Sequence, residues 1–131
     1  MFAVYDEDGS EETPDKSSLC PVSPNCVSSQ SSDKAHFIKP LNYTGNLAGA
    51  RQKLIDVLEN TKRVHLAKVD MNHIHAEFRS LIFRFVDDVL FYLPSDKNII
   101  HVRSASRQGY YDFGANRRRV ERLRVMLEKM I

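Results

Sequence analysis

The spacing of apolar residues changes twice along this 131-residue chain, and that change constrains its fold more than any other feature. Between 46 and 60 the spacing is helical. Leu47, Ala50, Leu54, Val57 and Leu58 fall on one face, while Arg51, Lys53, Asp56 and Glu59 fill the rest. Asn46 stands where an N-cap belongs, since its short amide can accept from an orphan N–H of the first turn. After 60 the period drops to two. Residues 64–69 read as a strand, and Asp70-Met71-Asn72 as a turn. Residues 73–78 alternate, with Ile74, Ala76 and Phe78 on one side and His73, His75 and Glu77 on the other. The stretch 81–93 reads as the strongest strand, with Phe83, Phe85, Val89, Phe91 and Leu93 sharing a face. Pro94-Ser95-Asp96-Lys97 makes a turn. Residues 98–107 return with Ile100 and Val102 inward. Helical spacing resumes over 115–130, where Val120, Leu123, Leu127 and Met130 form a stripe.

A helix, a run of half-buried strands and a second helix predict an α+β fold. The expected form is an antiparallel sheet of about four strands, with the N-terminal helix and the long C-terminal helix packed on one face. The length suits one domain. Residues 1–35 are rich in Ser, Pro, Asp and Glu and offer little apolar surface to offset ordering entropy, so they read as an arm before a single domain over 36–131. That arm carries a net charge of −5 and the rest of the chain +7, which makes the body basic. No apolar run reaches the roughly 20 residues of a membrane span. The start has neither a basic nor an apolar leader region, so a soluble cytoplasmic protein is the expectation.

Several chemistries are disfavoured. There is no phosphate-binding loop, no Gly-rich dinucleotide turn and no nucleophile elbow, so no cofactor is expected. Cys20 and Cys26 form a C-x5-C frame without a second pair, a poor metal frame, and no metal is expected. His73, His75 and His101 could share one sheet face, yet strand histidines there are more often solvated. Asp87 and Asp88 are adjacent in one strand and point to opposite faces, so they form no dyad. Ser104 and Ser106 fall on the core face. No catalytic residue is therefore assigned. The competing class is a hydrolase-like or isomerase-like enzyme using Asp112, His75 or Asp88 with Arg103. The basic helix with Arg117, Arg118, Arg119, Arg122 and Arg124 lacks an aromatic platform beside it, so nucleic acid is not an expected partner. The oligomeric state is not legible.

The turn at 94–97 suggests a hairpin register that pairs Leu93 with Asn98. Phe91 then meets Ile100, Val89 meets Val102, Asp88 meets Arg103, and Arg84 meets Arg107. The last pair is like-charged and calls for a counter-charge. Arg84, Arg103, Arg107, Asn116 and Arg117 are accordingly the candidate anion site, at a helix start and on Arg forks suited to a small anion or phosphate-bearing ligand. The alternative is a structural network in which Asp87, Asp88 and Asp112 satisfy these groups and Asp112 or Asn116 caps the helix. The function expected is a non-catalytic binding or accessory domain.

Longer strings carry a family resemblance. Cys20-Pro21, Pro24-Asn25-Cys26-Val27-Ser28-Ser29, Ile74-His75-Ala76-Glu77, Phe85-Val86-Asp87-Asp88-Val89, His101 to Arg107, and Gly109 to Glu121 together resemble the DUF1499 family, a domain of unknown function. The likeness runs from about residue 19 to the end. It implies no established activity. It also implies that an exported location is open, which the start of this chain does not show. Cys20 and Cys26 are either two packed thiols or a disulfide, and the resemblance adds weight to the disulfide.

Overall fold

The structure, a computed structural model, describes residues 19–129. The chain enters through β1 (Cys26–Ser28) and β2 (Leu41–Asn42), then forms α1 (Leu47–Glu59). Four longer strands follow as an antiparallel meander, β3 (Val64–Val69), β4 (His73–Arg79), β5 (Val86–Tyr92) and β6 (Ile99–Ser106), before α2 (Ala115–Lys129). The fold is α+β with a sheet of six strands in the order β1-β6-β5-β4-β3, and β2 also pairs with β6.

α1 starts where the sequence places it. The Asn46 side chain accepts from Gly49 N at 2.8 Å. Its stripe of Ala50, Leu54, Val57 and Leu58 is buried. Across from it lie Ile74, Val89, Phe91, Ile100 and Val102 from the sheet and Val120 and Leu123 from α2, all in one apolar cluster. Truncating a side chain as buried as Phe91 in such a cluster costs about 3–5 kcal/mol.

Two strands beyond the expected four come from short segments. β1 and β2 are three and two residues long and carry no readable alternation. Both pair antiparallel with β6, at Val27–Ser104 and Leu41–Ile100. The strand β1 also moves part of the expected arm into the folded body. Asn25 to Ser29 are buried, because β6 supplies the ladder partners that this polar segment could not find alone. Residues 1–18 of that arm, and Met130 of the expected helix stripe, lie outside the described residues. A Cys20–Cys26 disulfide closes the loop that leads into β1.

The β5–β6 register differs from the expected one by two residues. Phe91 pairs with Val102, Val89 with Ser104, Asp88 with Ala105 and Leu90 with Arg103. Leu93 leaves the hairpin, its N–H donating to Asn72 O at 2.8 Å, and Pro94 has no N–H to extend the ladder. A shift of two keeps every residue on its face, so the inward and outward assignments survive. The pairing of Arg84 with Arg107 does not. Residues 80–85 are not strand but the loop of the β4–β5 hairpin, closed by Ser80 N donating to Phe85 O at 2.9 Å. Phe83 and Phe85 are exposed there rather than in the core. Among the described residues no helix is long and apolar enough to cross a membrane.

Candidate functional site

Asp87 and Asp88 follow one another in β5, so the pleat sends them to opposite faces. Each gathers its own polar cluster. On the helix side Arg119 Nη2 donates to Asp87 Oδ2 at 2.7 Å. Its Nη1 donates to Asn116 Oδ1 at 2.8 Å and to Ser104 Oγ at 3.2 Å. The guanidinium carbon sits 4.9 Å from the centre of the Phe78 ring, a cation–π contact. Its Nε is buried and has no partner among the described residues.

Asn116 ties this cluster to the fold and is itself fully buried. Its Oδ1 accepts from Ser104 Oγ at 2.7 Å. Its Nδ2 lies within 3.1 Å of Asn25 O, Ser106 Oγ and Asp112 Oδ2. One amide thus joins the entry to β1, the strand β6 and the first turn of α2. Asp112 caps that turn, accepting from Gly114 N at 2.9 Å and Asn116 N at 3.1 Å. Burial pushes the Asp112 carboxyl up, but hydrogen bonds from Asn116 and Gly114 outweigh it and hold the group below the usual carboxylate range.

Beside this cluster a cleft of about 630 Å³ opens between the end of the sheet and α2. Phe78, Asp87, Ser106 and Arg119 line it from within. Its margin is made by Ser80 and Phe85 of the β4–β5 loop and by Gln108, Gly109, Tyr111, Asp112 and Phe113 before α2. Aromatic rings crowd that margin. Phe85 lies there, stacked at 5.5 Å on Phe83, which does not itself line the cleft, and Tyr111 lies 6.4 Å from Phe113. Phe85 is 49% exposed, Tyr111 70% and Phe113 87%. Among the described residues the bases Lys62, Arg63, Arg79, Arg119 and Arg122 line the cleft, against two acids, Asp87 and Asp112. Positive φ values outside glycine occur at Arg63 (61°), Arg84 (56°) and Phe113 (54°). Arg63 and Phe113 line the cleft, and Arg84 directly precedes Phe85, which also lines it. Left-handed backbone is uncommon for such side chains. Its gathering around one opening marks a shape held by the surrounding fold.

The outer face carries the second cluster. Arg107 donates through Nε to Asp88 Oδ2 at 2.6 Å and through Nη2 to Asp88 Oδ1 at 2.8 Å. The same Nη2 reaches Glu77 Oε2 at 2.6 Å. His75 Nε2 lies 2.7 Å from Asp88 Oδ1. Burial raises the Asp88 carboxyl, but Arg107 and His75 outweigh it and lower it overall. The hydrogen bonds to Asp88 and then Glu77 hold the Arg107 guanidinium above its ordinary value. Ligand atoms of His75, Glu77 and Asp88 all lie within 4.8 Å of one another, a spacing that suits a cation. The Arg107 guanidinium already supplies that positive charge.

Both clusters fall within the span of one family match. The model of "Protein of unknown function (DUF1499)" matches residues 16–127. The chain belongs to this family. No curated protein matches it. In this DUF1499 domain the five residues expected to form an anion site do not share one set of contacts. Arg84 sits in the β4–β5 loop, its carbonyl accepting from Arg79 at 3.4 Å. Arg103 donates to Leu19 O at 3.0 Å, and burial lowers its pKa against the pull of Asp88. Arg107 is held by Asp88 and Glu77, Asn116 is buried, and Arg117 donates to Phe37 O and Ala35 O. The three carboxylates of the expected network each have partners, Asp87 in Arg119, Asp88 in Arg107 and His75, and Asp112 in the start of α2.

The residues of the alternative enzyme reading come together only in part, with Arg103 feeling the charge of Asp88. His75 and Asp88 lie on the outer face, whereas Asp112 caps the helix that covers the other one. Ser104 is fully buried. Of the three histidines weighed as ligands, His75 is bound to Asp88, while His73 and His101 flank the Tyr92 ring at 5.0 and 6.2 Å. The sequence reading missed Arg119 and the aromatic margin. A signal for Arg119 was present, since it follows Asn116 by three residues and precedes Leu123 by four, which puts all three on one helical face.

Proposed function

We propose that this DUF1499 domain is a non-catalytic binding domain, and that its ligand enters the cleft between the sheet end and α2. The observation that carries this reading is the pairing of exposed aromatic rings at the margin with an excess of basic side chains along the wall. Apolar walls with a few placed charges are the usual make-up of a ligand site. The ligand class is an amphipathic acid, with an apolar body against Phe85, Tyr111 and Phe113 and a carboxylate or phosphate beside Arg63, Arg79 and Arg122. Anion recognition thereby moves from Arg103 and Arg107, which carboxylates and carbonyls of the protein already engage, to bases at the cleft.

Displacement of an environment-sensitive dye by decanoate, decyl phosphate and decanol tests it. Decanoate and decyl phosphate should compete well below their micelle-forming concentrations, and decanol at least tenfold more weakly. An Arg63→Gln, Arg122→Gln variant should lose that preference for the acids. Equal competition by decanol removes the anion site, and no competition by any of the three removes the cleft reading.

A further inference from the structure

The two loops at the cleft mouth expose more apolar surface than the ligand reading needs. Leu81 is 67% exposed and Ile82 78% exposed, and neither lines the cleft. With Phe83 they make one apolar tip, and Tyr110, Tyr111 and Phe113 make another, on two loops that line the same cleft. Clustered apolar tips on a protein's surface mark a contact with something apolar. We propose that these tips dock the cleft mouth onto a lipid bilayer bearing anionic headgroups.

Charge complementarity selects the bilayer. Lys62, Arg63, Arg79, Arg84, Arg118 and Arg122 are all exposed around the tips. The acids that line the cleft are engaged, Asp87 by Arg119 and Asp112 by the start of α2. An apolar tip inside a basic collar matches the depth profile of an anionic membrane, with aliphatic and Phe side chains at the acyl boundary, Tyr among the headgroups and Arg on the phosphates. Arg84 stands within the tip, and its long side chain can reach back to that headgroup layer.

The loop is built to present this surface. Ser80 N donates to Phe85 O and Phe85 N to Ser80 Oγ, each at 2.9 Å. Arg79 reaches Arg84 O at 3.4 Å, and Phe83 stacks on Phe85. The tip is therefore held before it meets a partner, which lowers the ordering cost of docking. Insertion is shallow, because hydrocarbon cannot satisfy the loop's remaining backbone groups.

Co-sedimentation of the full chain with vesicles tests the proposal. Vesicles of phosphatidylcholine with phosphatidylglycerol should bind it, and vesicles of phosphatidylcholine alone should bind about fivefold more weakly for each engaged base. An Ile82→Asp, Phe83→Asp variant should reduce partitioning about tenfold or more. Its thermal midpoint should match the unaltered protein, since both side chains are exposed. Lys39→Glu, an exposed position whose carbonyl is held by Arg124, serves as a charge control and should partition nearly normally. Absence of binding to anionic vesicles overturns the proposal, as does binding that the double variant leaves unchanged. Concentration-dependent self-association that the same variant abolishes would assign the tips to a second copy of the chain instead. Because Ile82 and Phe83 do not line the cleft, decanoate binding without vesicles should survive in the variant. In the unaltered protein, decanoate binding without vesicle docking sinks only this inference, and vesicle docking without decanoate binding sinks only the cleft ligand.

Discussion

The two faces of β5 carry clusters of similar composition and different standing. Asp87 and Arg119 on the helix side are 15% and 13% exposed and reach Asn116, Ser104 and Phe78. Asp88 and Arg107 on the outer side are 22% and 45% exposed, and their partners, His75 and Glu77, belong to the neighbouring strand of the same sheet. The shorter hydrogen bonds are on the outer side. Distance alone would rank that cluster first. Burial ranks it second, because water competes for exposed ion pairs and punishes a buried group that loses its partner. The helix-side cluster also spans more of the chain, from Asn25 to Arg119, whereas the outer one joins three adjacent strands.

The largest test of that contrast is Asn116→Leu. It strands Ser104, Asp112 and the Asn25 carbonyl, and should cost about 2–4 kcal/mol in urea unfolding. Arg119→Met should follow at about 2–3 kcal/mol, since it leaves a half-buried Asp87 without its cation. A double-mutant cycle with Asp87→Ala isolates the pair. Coupling no larger than that between Asp88 and Arg107 would break the comparison.

Asp112→Ala should cost about 1 kcal/mol at neutral pH, the usual worth of a cap. The pH dependence sharpens this effect. The folded pKa of Asp112 lies below its unfolded value near 3.8, so its stabilisation is present above that value and is lost as pH falls through the folded one. Asp88 adds in the same direction. Urea midpoints from pH 6 down to pH 2 should therefore fall below about pH 4, and less steeply in Asp112→Ala. The smallest effect is expected from Arg107→Met. It should fall below the cap variant and shrink further in high salt, because its charge is solvent-screened. A loss rivalling that of Asn116→Leu would reverse the ranking of the two faces.

Much of the fold was legible because it rests on parity and period. Leu54 and Leu58 repeat at helical spacing, and Ile74 and Ala76 alternate with His73 and His75, so element type and inward face follow. The two-residue register error shows the limit. Parity survives such a slip, but pair identity does not, and the supposed clash of Arg84 with Arg107 was a product of the slip. The segment from Leu81 to Phe85 misled for the same reason. Phe83-Arg84-Phe85 alternates like a strand, yet the backbone is left-handed at Arg84 and Ser80 pairs with Phe85 to close a loop. Arg119 was read as one more base of the C-terminal basic helix, because a charge within a basic run does not announce a buried partner.

The sequence by itself determined the order of helices and long strands, the apolar stripe of each, the cap at Asn46 and the likeness to DUF1499. These follow from local periodicity and from strings read in place. Only the tertiary structure decided that Cys26–Ser28 and Leu41–Asn42 join β6, that Asn116 is a buried junction rather than a cap, and that two distant loops share one cleft. Each of these depends on contacts between residues far apart in the chain. Such contacts leave no period in the sequence, because what selects them is which surfaces the folded chain brings together.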